Sequence, residues 1–210
     1  MDFGKNIFEL YAVTERYPDS NLFEQIESAL KGGVTCLQLR EKHLGKSEFI
    51  REACIVKAFC KKYSVPLIIN DDVEVALESG ADGVHIGQDD GDVAEVRKIA
   101  GSRLIVGVSA HNVGEALAAE TAGADYLGCG AVFGSATKSN VSALPPETLK
   151  NIAASVKIPV VAIGGINENN IMQLAGTGID GVAVISAIFA AENIESKCGE
   201  LKKLVEKIRA

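Results

Sequence analysis

Short aliphatic runs recur along the whole chain, and four of them are entered through the same phrase. KGGVTCLQL (31–39), SGADGVHIG (79–87), AGADYLGCG (122–130) and TGIDGVAVI (177–185) each place a glycine, one or two small or polar residues, then an apolar run. The glycine suits the position just past a helix end, where a left-handed backbone is needed. Between them lie IFELYAV (7–13), PLIIN (66–70), LIVGVS (104–109) and PVVAIGG (159–165), several of them entered through Pro or Gly, as in SVPLII, GSRLIV and KIPVVA. Counted this way, VTCLQLR (34–40), GVHIG (83–87), YLGCG (126–130) and GVAVIS (181–186) bring the strands to eight. Most of the intervening segments, such as NLFEQIESALKGG and EVALESG, carry helical periodicity. Alternating buried strands and helices imply βα units and a parallel sheet. Eight strands in a two-unit repeat predict a closed (β/α)8 TIM barrel in the α/β class, as a single domain over residues 1–210.

Composition supports that architecture and excludes others. The chain is 47% hydrophobic but only 5% aromatic, with no Trp, so aliphatic side chains must fill strands buried on both faces. A net charge of −7 argues against binding nucleic acid or an anionic membrane through the general field. The five cysteines, Cys36, Cys54, Cys60, Cys129 and Cys198, form no CxxC pair, and free thiols fit a reducing cytoplasm. No two histidines have zinc-ligand spacing. The start, MDFGKNIFELYAVTE, lacks a signal-peptide core, and no apolar stretch approaches a membrane span. The expectation is a soluble cytoplasmic protein, and a homo-oligomer is compatible with the sequence.

Right-handed βα connections put every strand's C-terminal end on one rim, which is where such barrels carry their sites. There the sequence places Arg40, Glu41 and Lys42; Asn70, Asp71 and Asp72; Asp89 and Asp90; Ser109 and His111; Ser135, Thr137 and Lys138; Gly164 and Gly165; and Ser186. Asp71 and Asp90 follow neighbouring strands. Close carboxylates repel unless they are protonated or bridged by a cation, and a hard oxygen site suits Mg²⁺ completed by substrate phosphates. The competing reading is helix capping, with Asp72 before VEVAL and Asp90 before GDVAEV as N-caps or first-turn residues. Period-2 alternation puts Gln38 and Arg40 on one strand face, and an inward Arg needs an anionic partner. The alternative is an ordinary surface pair of Arg40 with Glu41. The loop GSATKSN holds Lys138 among phosphate-binding residue types, although such loops are often mere connectors. Gly165 and Ser186 follow strands seven and eight, the common phosphate site of these barrels; packing glycines are the bland alternative. The rim therefore offers one anion site suited to a diphosphate and another suited to a monophosphate.

The motifs QLREK (38–42), NDD (70–72), GVHIGQDD (83–90), GVSAH (107–111), GSATK (134–138), AIGGI (162–166) and VISAI (184–188) together resemble the thiamine-phosphate synthase family, over nearly the whole chain. That resemblance implies joining of 4-amino-2-methyl-5-(diphosphooxymethyl)pyrimidine to 4-methyl-5-(2-phosphoethyl)thiazole, giving thiamine phosphate and diphosphate with Mg²⁺ as cofactor. It implies Asp71 and Asp90 as Mg²⁺ ligands, with Asp90 favoured over Asp89 by the motif's spacing. It places the pyrimidine diphosphate against Gln38, Leu39, Arg40, Glu41, Lys42, Asn70, Ser109 and Lys138, with Arg40, Lys42, Lys138 and Ser109 acting on the departing diphosphate. It places the thiazole phosphate against Ser135, Ala136, Thr137, Gly165, Ile185 and Ser186. Where the family often has Pro-Thr-x-Thr-Lys, this chain has Gly134-Ser135-Ala136-Thr137-Lys138, for which a modest change in thiazole affinity is expected.

Two further readings compete. A thiazole tautomerase would share the barrel and the thiazole phosphate site without needing the diphosphate and metal set; His111 is its best support, as an acid or base. A non-catalytic sensor would bind a phosphorylated ligand without turnover. Sugar-phosphate epimerases and aldolases fit less well, since no suitably placed Schiff-base lysine or acid/base pair stands out.

Overall fold

A computed structural model of the chain describes residues 5–18, 20–88, 90–134 and 143–209. Eight parallel strands close into a barrel in sequence order: β1 (Leu10–Val13), β2 (Cys36–Leu39), β3 (Leu67–Asn70), β4 (Gly83–Ile86), β5 (Ile105–Ala110), β6 (Tyr126–Gly130), β7 (Val160–Ile163) and β8 (Gly181–Val184). Helices α1 (Leu22–Lys31), α2 (Lys46–Lys62), α3 (Val73–Ser79), α4 (Val93–Ala100), α5 (Val113–Thr121) and α6 (Pro146–Ser155) alternate with the first seven strands. Between β7 and β8 there is instead a 3₁₀ turn, Ile171–Leu174. The segment before it is rich in asparagine, and Asn167 and Asn170 accept backbone N–H groups locally, which competes with a regular helix. A short α7 (Ser186–Phe189) and a long α8 (Ile194–Arg209) follow β8. All eight expected strands are present, within a few residues of their expected bounds. The IF of IFELYAV belongs to a 3₁₀ turn, Lys5–Phe8, below the barrel. No helix among the described residues is long and apolar enough to cross a membrane.

Strand alternation builds two cores. Outward residues such as Leu37, Leu39, Ile69, Val84, Val106, Leu127 and Val182 pack beneath the helices. Inward residues form a second cluster of Phe8, Tyr11, Val13, Cys36, Ile68, Ile105, Tyr126, Val161 and Ala183. Filling the lumen with side chains makes it a floor for the site rather than a pore.

The repeated phrase has a physical meaning. Its glycines Gly33, Gly80, Gly123 and Gly178 all take positive φ, turning the chain from helix into the next strand. The polar residue just before each even strand then ties down the strand before it. Asp82, Asp125 and Asp180 accept the N–H groups of Leu67, Val106 and Val160 at 2.7, 2.7 and 2.9 Å. Their own N–H groups donate back to the carbonyls of the same three residues. Thr35 does the same for Leu10. Each pair of strands is thus locked at its lower end by a polar side chain, and four such locks register the barrel.

Candidate active site

At the C-terminal end of the barrel a cavity opens, lined by Gln38, Arg40, Asn70, His85, Ser109 and His111 on one side and Gly164, Gly165, Ile166, Ile185 and Ser186 on the other. Tyr11, Val13, Tyr126, Val161 and Ala183 form its floor. Gln38 and Arg40 share the inward face of β2, as alternation required. Arg40 meets Glu15 at 3.0 Å, and its backbone N–H is held by Thr14 Oγ1 at 2.9 Å. Arg40 is therefore not the partner of Glu41. Glu41 turns to Arg16, which it binds at 2.8 and 3.0 Å, and Arg16 also reaches Glu52. Leu39 points outward into the core beneath the helices. The side chains of Leu39 and Glu41 are thus not brought to the cavity, while Lys42 stands close enough to Asp71 to favour its charged form.

The acids divide their labour. Asp72 caps α3, accepting from the Val75 N–H at 2.9 Å. The cap of α4 is Asp92, which accepts from Ala94 and Glu95 at 2.7 and 3.2 Å. The capping role that the sequence left open for Asp90 falls to Asp92. Asp71 and Asp90 then face each other. Asp71 sits at φ 67°, a left-handed conformation that Asp tolerates better than most residues. Its N–H donates to the His85 carbonyl at 2.8 Å. Asp90 Oδ2 accepts from the Gly87 N–H at 2.8 Å. The Asp71 carboxyl is pushed up to about 6, first by loss of solvation and then by its hydrogen bond to Asp90 and the charge there; Lys42 and Asn70 pull it down less strongly. Among the described residues, no group of three or more His, Cys, Asp or Glu could hold a metal ion. Two converging carboxylates could hold a cation that takes its remaining oxygens from substrate and water.

Across the cavity the backbone comes close. Gly165 has φ 65°, and a Cβ there would lie 2.7 Å from the Phe133 carbonyl oxygen. Its carbonyl is held by Asn170 Nδ2 at 2.8 Å and Asn167 Nδ2 at 3.2 Å. Ser186 opens α7, with Ile185 just before it. The expected thiazole-phosphate residues Ser135, Ala136 and Thr137, and Lys138 of the diphosphate set, lie outside the described residues.

Three polar cavity residues escaped the sequence reading: Tyr11, His85 and Tyr126. Each interrupts an aliphatic strand at an inward position, in the same alternation as Gln38 and Asn70, and that parity was the available signal. His111 lines the cavity, as the tautomerase reading would need, but its Nδ1 meets Glu115 at 3.0 Å and its N–H donates to the same carboxylate.

Residues 10–188 match the thiamine monophosphate synthase family. The thiamine-phosphate synthase of Clostridium acetobutylicum is 47% identical over 97% of this chain and 98% of its own length. That of Enterococcus faecalis is 49% identical over 95% of each. The solved thiamine phosphate pyrophosphorylase from Pyrococcus furiosus superimposes with a TM-score of 0.90 at 38% identity, covering 98% of this chain and 99% of that one.

Proposed function

The chain belongs to the thiamine monophosphate synthase family, and from that premise we propose that it joins 4-amino-2-methyl-5-(diphosphooxymethyl)pyrimidine to 4-methyl-5-(2-phosphoethyl)thiazole, releasing thiamine phosphate and diphosphate. The observation that carries this reading is the two-sided cavity. Arg40, Asn70 and Ser109 line one side, with the acid pair next to Asn70, and Gly165, Ile185 and Ser186 line the other.

The Asp71–Asp90 pair fits Mg²⁺, because the two crowded carboxylates lose their mutual repulsion when a cation lies between them. Bound there, Mg²⁺ would neutralise charge on the diphosphate. Arg40, Lys42 and Lys138 add positive charge where the leaving group becomes more anionic, and Ser109 adds a hydroxyl. The pyrimidine C–O bond breaks, its electron pair leaves with diphosphate, and the electron-rich aminopyrimidine carries the resulting methyl cation. The thiazole nitrogen then donates its lone pair to that carbon. No protein nucleophile is required; holding both substrates in line and excluding water supply much of the acceleration. Gly165, Ile185 and Ser186, with Ser135, Ala136 and Thr137, would orient the thiazole phosphate. The five cysteines are free, which fits a reducing cytoplasm.

The experiment is diphosphate release from purified protein, with each substrate and Mg²⁺ omitted in turn. Release that needs all three, matched by thiamine phosphate, supports the synthase. Binding of thiazole phosphate without release would favour the tautomerase or sensor.

A further inference from the structure

A continuous polar chain runs through the barrel lumen and ends at the cavity. Gln38 Nε2 donates to the Tyr11 hydroxyl at 2.8 Å. The Tyr11 and Tyr126 hydroxyls are 2.9 Å apart. The Tyr126 hydroxyl is 2.9 Å from His85 Nδ1, and His85 Nε2 is 3.1 Å from Ser109 Oγ. Beyond Ser109, Gln88 Nε2 donates to the Ser109 carbonyl at 2.6 Å and fixes the backbone of that residue.

The first two links set the direction of the rest. An amide nitrogen only donates, so the Tyr11 oxygen accepts from Gln38, and the bond between the phenols raises the pKa of Tyr11 and lowers that of Tyr126, as it does when the Tyr11 proton goes to Tyr126. The Tyr126 proton then goes to His85 Nδ1. A neutral imidazole that accepts at Nδ1 carries its proton at Nε2. That proton goes to Ser109 Oγ, and the one proton of Ser109 is left to point into the cavity. Burial pushes the pKa of both tyrosines well up, so neither phenol ionises and the direction is preserved. The rings are seated tightly as well. A Cβ at Gly107 would lie 2.2 Å from Tyr126 Cζ, and one at Gly128 would lie 2.9 Å from His85 Cε1.

We propose that His85 is a positioning residue that holds Ser109 as a hydrogen-bond donor toward an anionic ligand oxygen, with Gln38, Tyr11 and Tyr126 fixing the imidazole tautomer that does so. The ligand half of this rests on the synthase reading, in which a departing diphosphate collects charge beside Ser109. A chain running the other way would offer the diphosphate a lone pair, which opposes that charge.

The test begins without substrates. Nitrogen-15 NMR of labelled imidazoles in the whole protein, which has three histidines, reads the His85 tautomer directly. The expected state is neutral with the proton on Nε2, and Tyr126→Phe should erase that preference. A proton on Nδ1 would overturn the proposal, because Ser109 would then give its proton to His85. This readout stands whether or not the protein makes thiamine phosphate. Turnover supplies the second arm. His85→Leu should lower kcat by about 100-fold, the scale of losing one aimed donor, with little change in KM for the thiazole phosphate. His85→Gln, which returns an N–H near the Nε2 position, should recover about tenfold of that loss. His85→Leu added to Ser109→Ala should cost nothing more than Ser109→Ala alone. Additive losses, or no recovery with Gln, would reduce His85 to packing.

Discussion

The carboxyl groups of Asp71 and Asp90 are brought side by side, although they leave the barrel from different strands. Loss of solvation raises Asp71 to about 6, and the neighbouring Asp90 carboxylate adds to the rise. In the absence of a ligand the arrangement is unfavourable near neutral pH. A divalent cation in the gap would relieve it, and would link the stability of the free protein to metal binding.

Asp71→Asn should therefore separate stability from activity. The amide removes the repulsion and keeps a side chain suited to φ 67°. Because Asp71 stands at the rim and is screened by solvent, the gain should be on the order of 1 kcal/mol, or about 2–4 °C in Tm for a chain of this size. Mg²⁺-dependent diphosphate release should fall by at least about 100-fold, the loss of a directly coordinating charge. Thermal melts without ligands and assays over a Mg²⁺ titration check the two halves. Unchanged turnover would remove Asp71 from the metal site.

The same pair predicts a pH dependence with a definite sign. A raised folded-state value means that the folded chain holds this proton more tightly than the unfolded chain does. Its stabilising contribution is complete below about pH 4, the unfolded value, and is lost as pH rises through about 6. Mg²⁺ competes with the proton, so its affinity should decline as pH falls below about 6. Isothermal titration of Mg²⁺ between pH 5 and 7.5, in the presence of diphosphate, measures this. An affinity flat across that range would contradict the raised Asp71 carboxyl.

The strand locks predict loss of stability far from the chemistry. Asp125 accepts the Val106 N–H at 2.7 Å and also pairs with Arg97. Asp125→Ala leaves a strand N–H without that acceptor and should cost about 1–3 kcal/mol. Denaturant unfolding should show the drop, while KM for both substrates should stay within about twofold, since no interaction with ligand is removed.

The barrel was legible because its determinants are local and repeated. A glycine that must take positive φ and an alternation that must bury one face are both written in adjacent residues. The capping function of Asp82, Asp125 and Asp180 was present in the same repeats but went unread. Its partner is the start of the preceding strand, some fifteen to twenty residues earlier, and only the folded barrel brings the two together. The choice between capping and site acids stayed open for a related reason. Asp90 and Asp92 look alike before a helix, and only the observed helix start, two residues later than the first acid would give, assigns the cap to Asp92. The Gln38–Ser109 chain draws on five strands, or strand ends, whose inward residues meet only across the lumen. Each of its members, taken alone, is an unremarkable polar residue in an apolar run.

Gly165 gives a prediction with its own control. An alanine there must adopt φ 65° and also place its Cβ 2.7 Å from the Phe133 carbonyl oxygen and 2.9 Å from that of Gly134. Both neighbours are backbone, so relief requires the loop after β7 to move away from the loop after β6. Gly80 has nearly the same backbone, φ 69°, but a Cβ there would meet nothing within 4 Å. Gly80→Ala should therefore show the cost of the left-handed conformation alone, about 1–2 kcal/mol, with KM for the thiazole phosphate unchanged. Gly165→Ala should carry that cost plus the displacement. Because Gly165 lines the cavity, KM for the thiazole phosphate should rise at least tenfold, the effect of about 1.4 kcal/mol of lost binding. KM for the pyrimidine substrate, held on the opposite side, should change much less. Equal effects of the two variants on KM would mean that the approach of the β6 and β7 loops has no part in holding the phosphate.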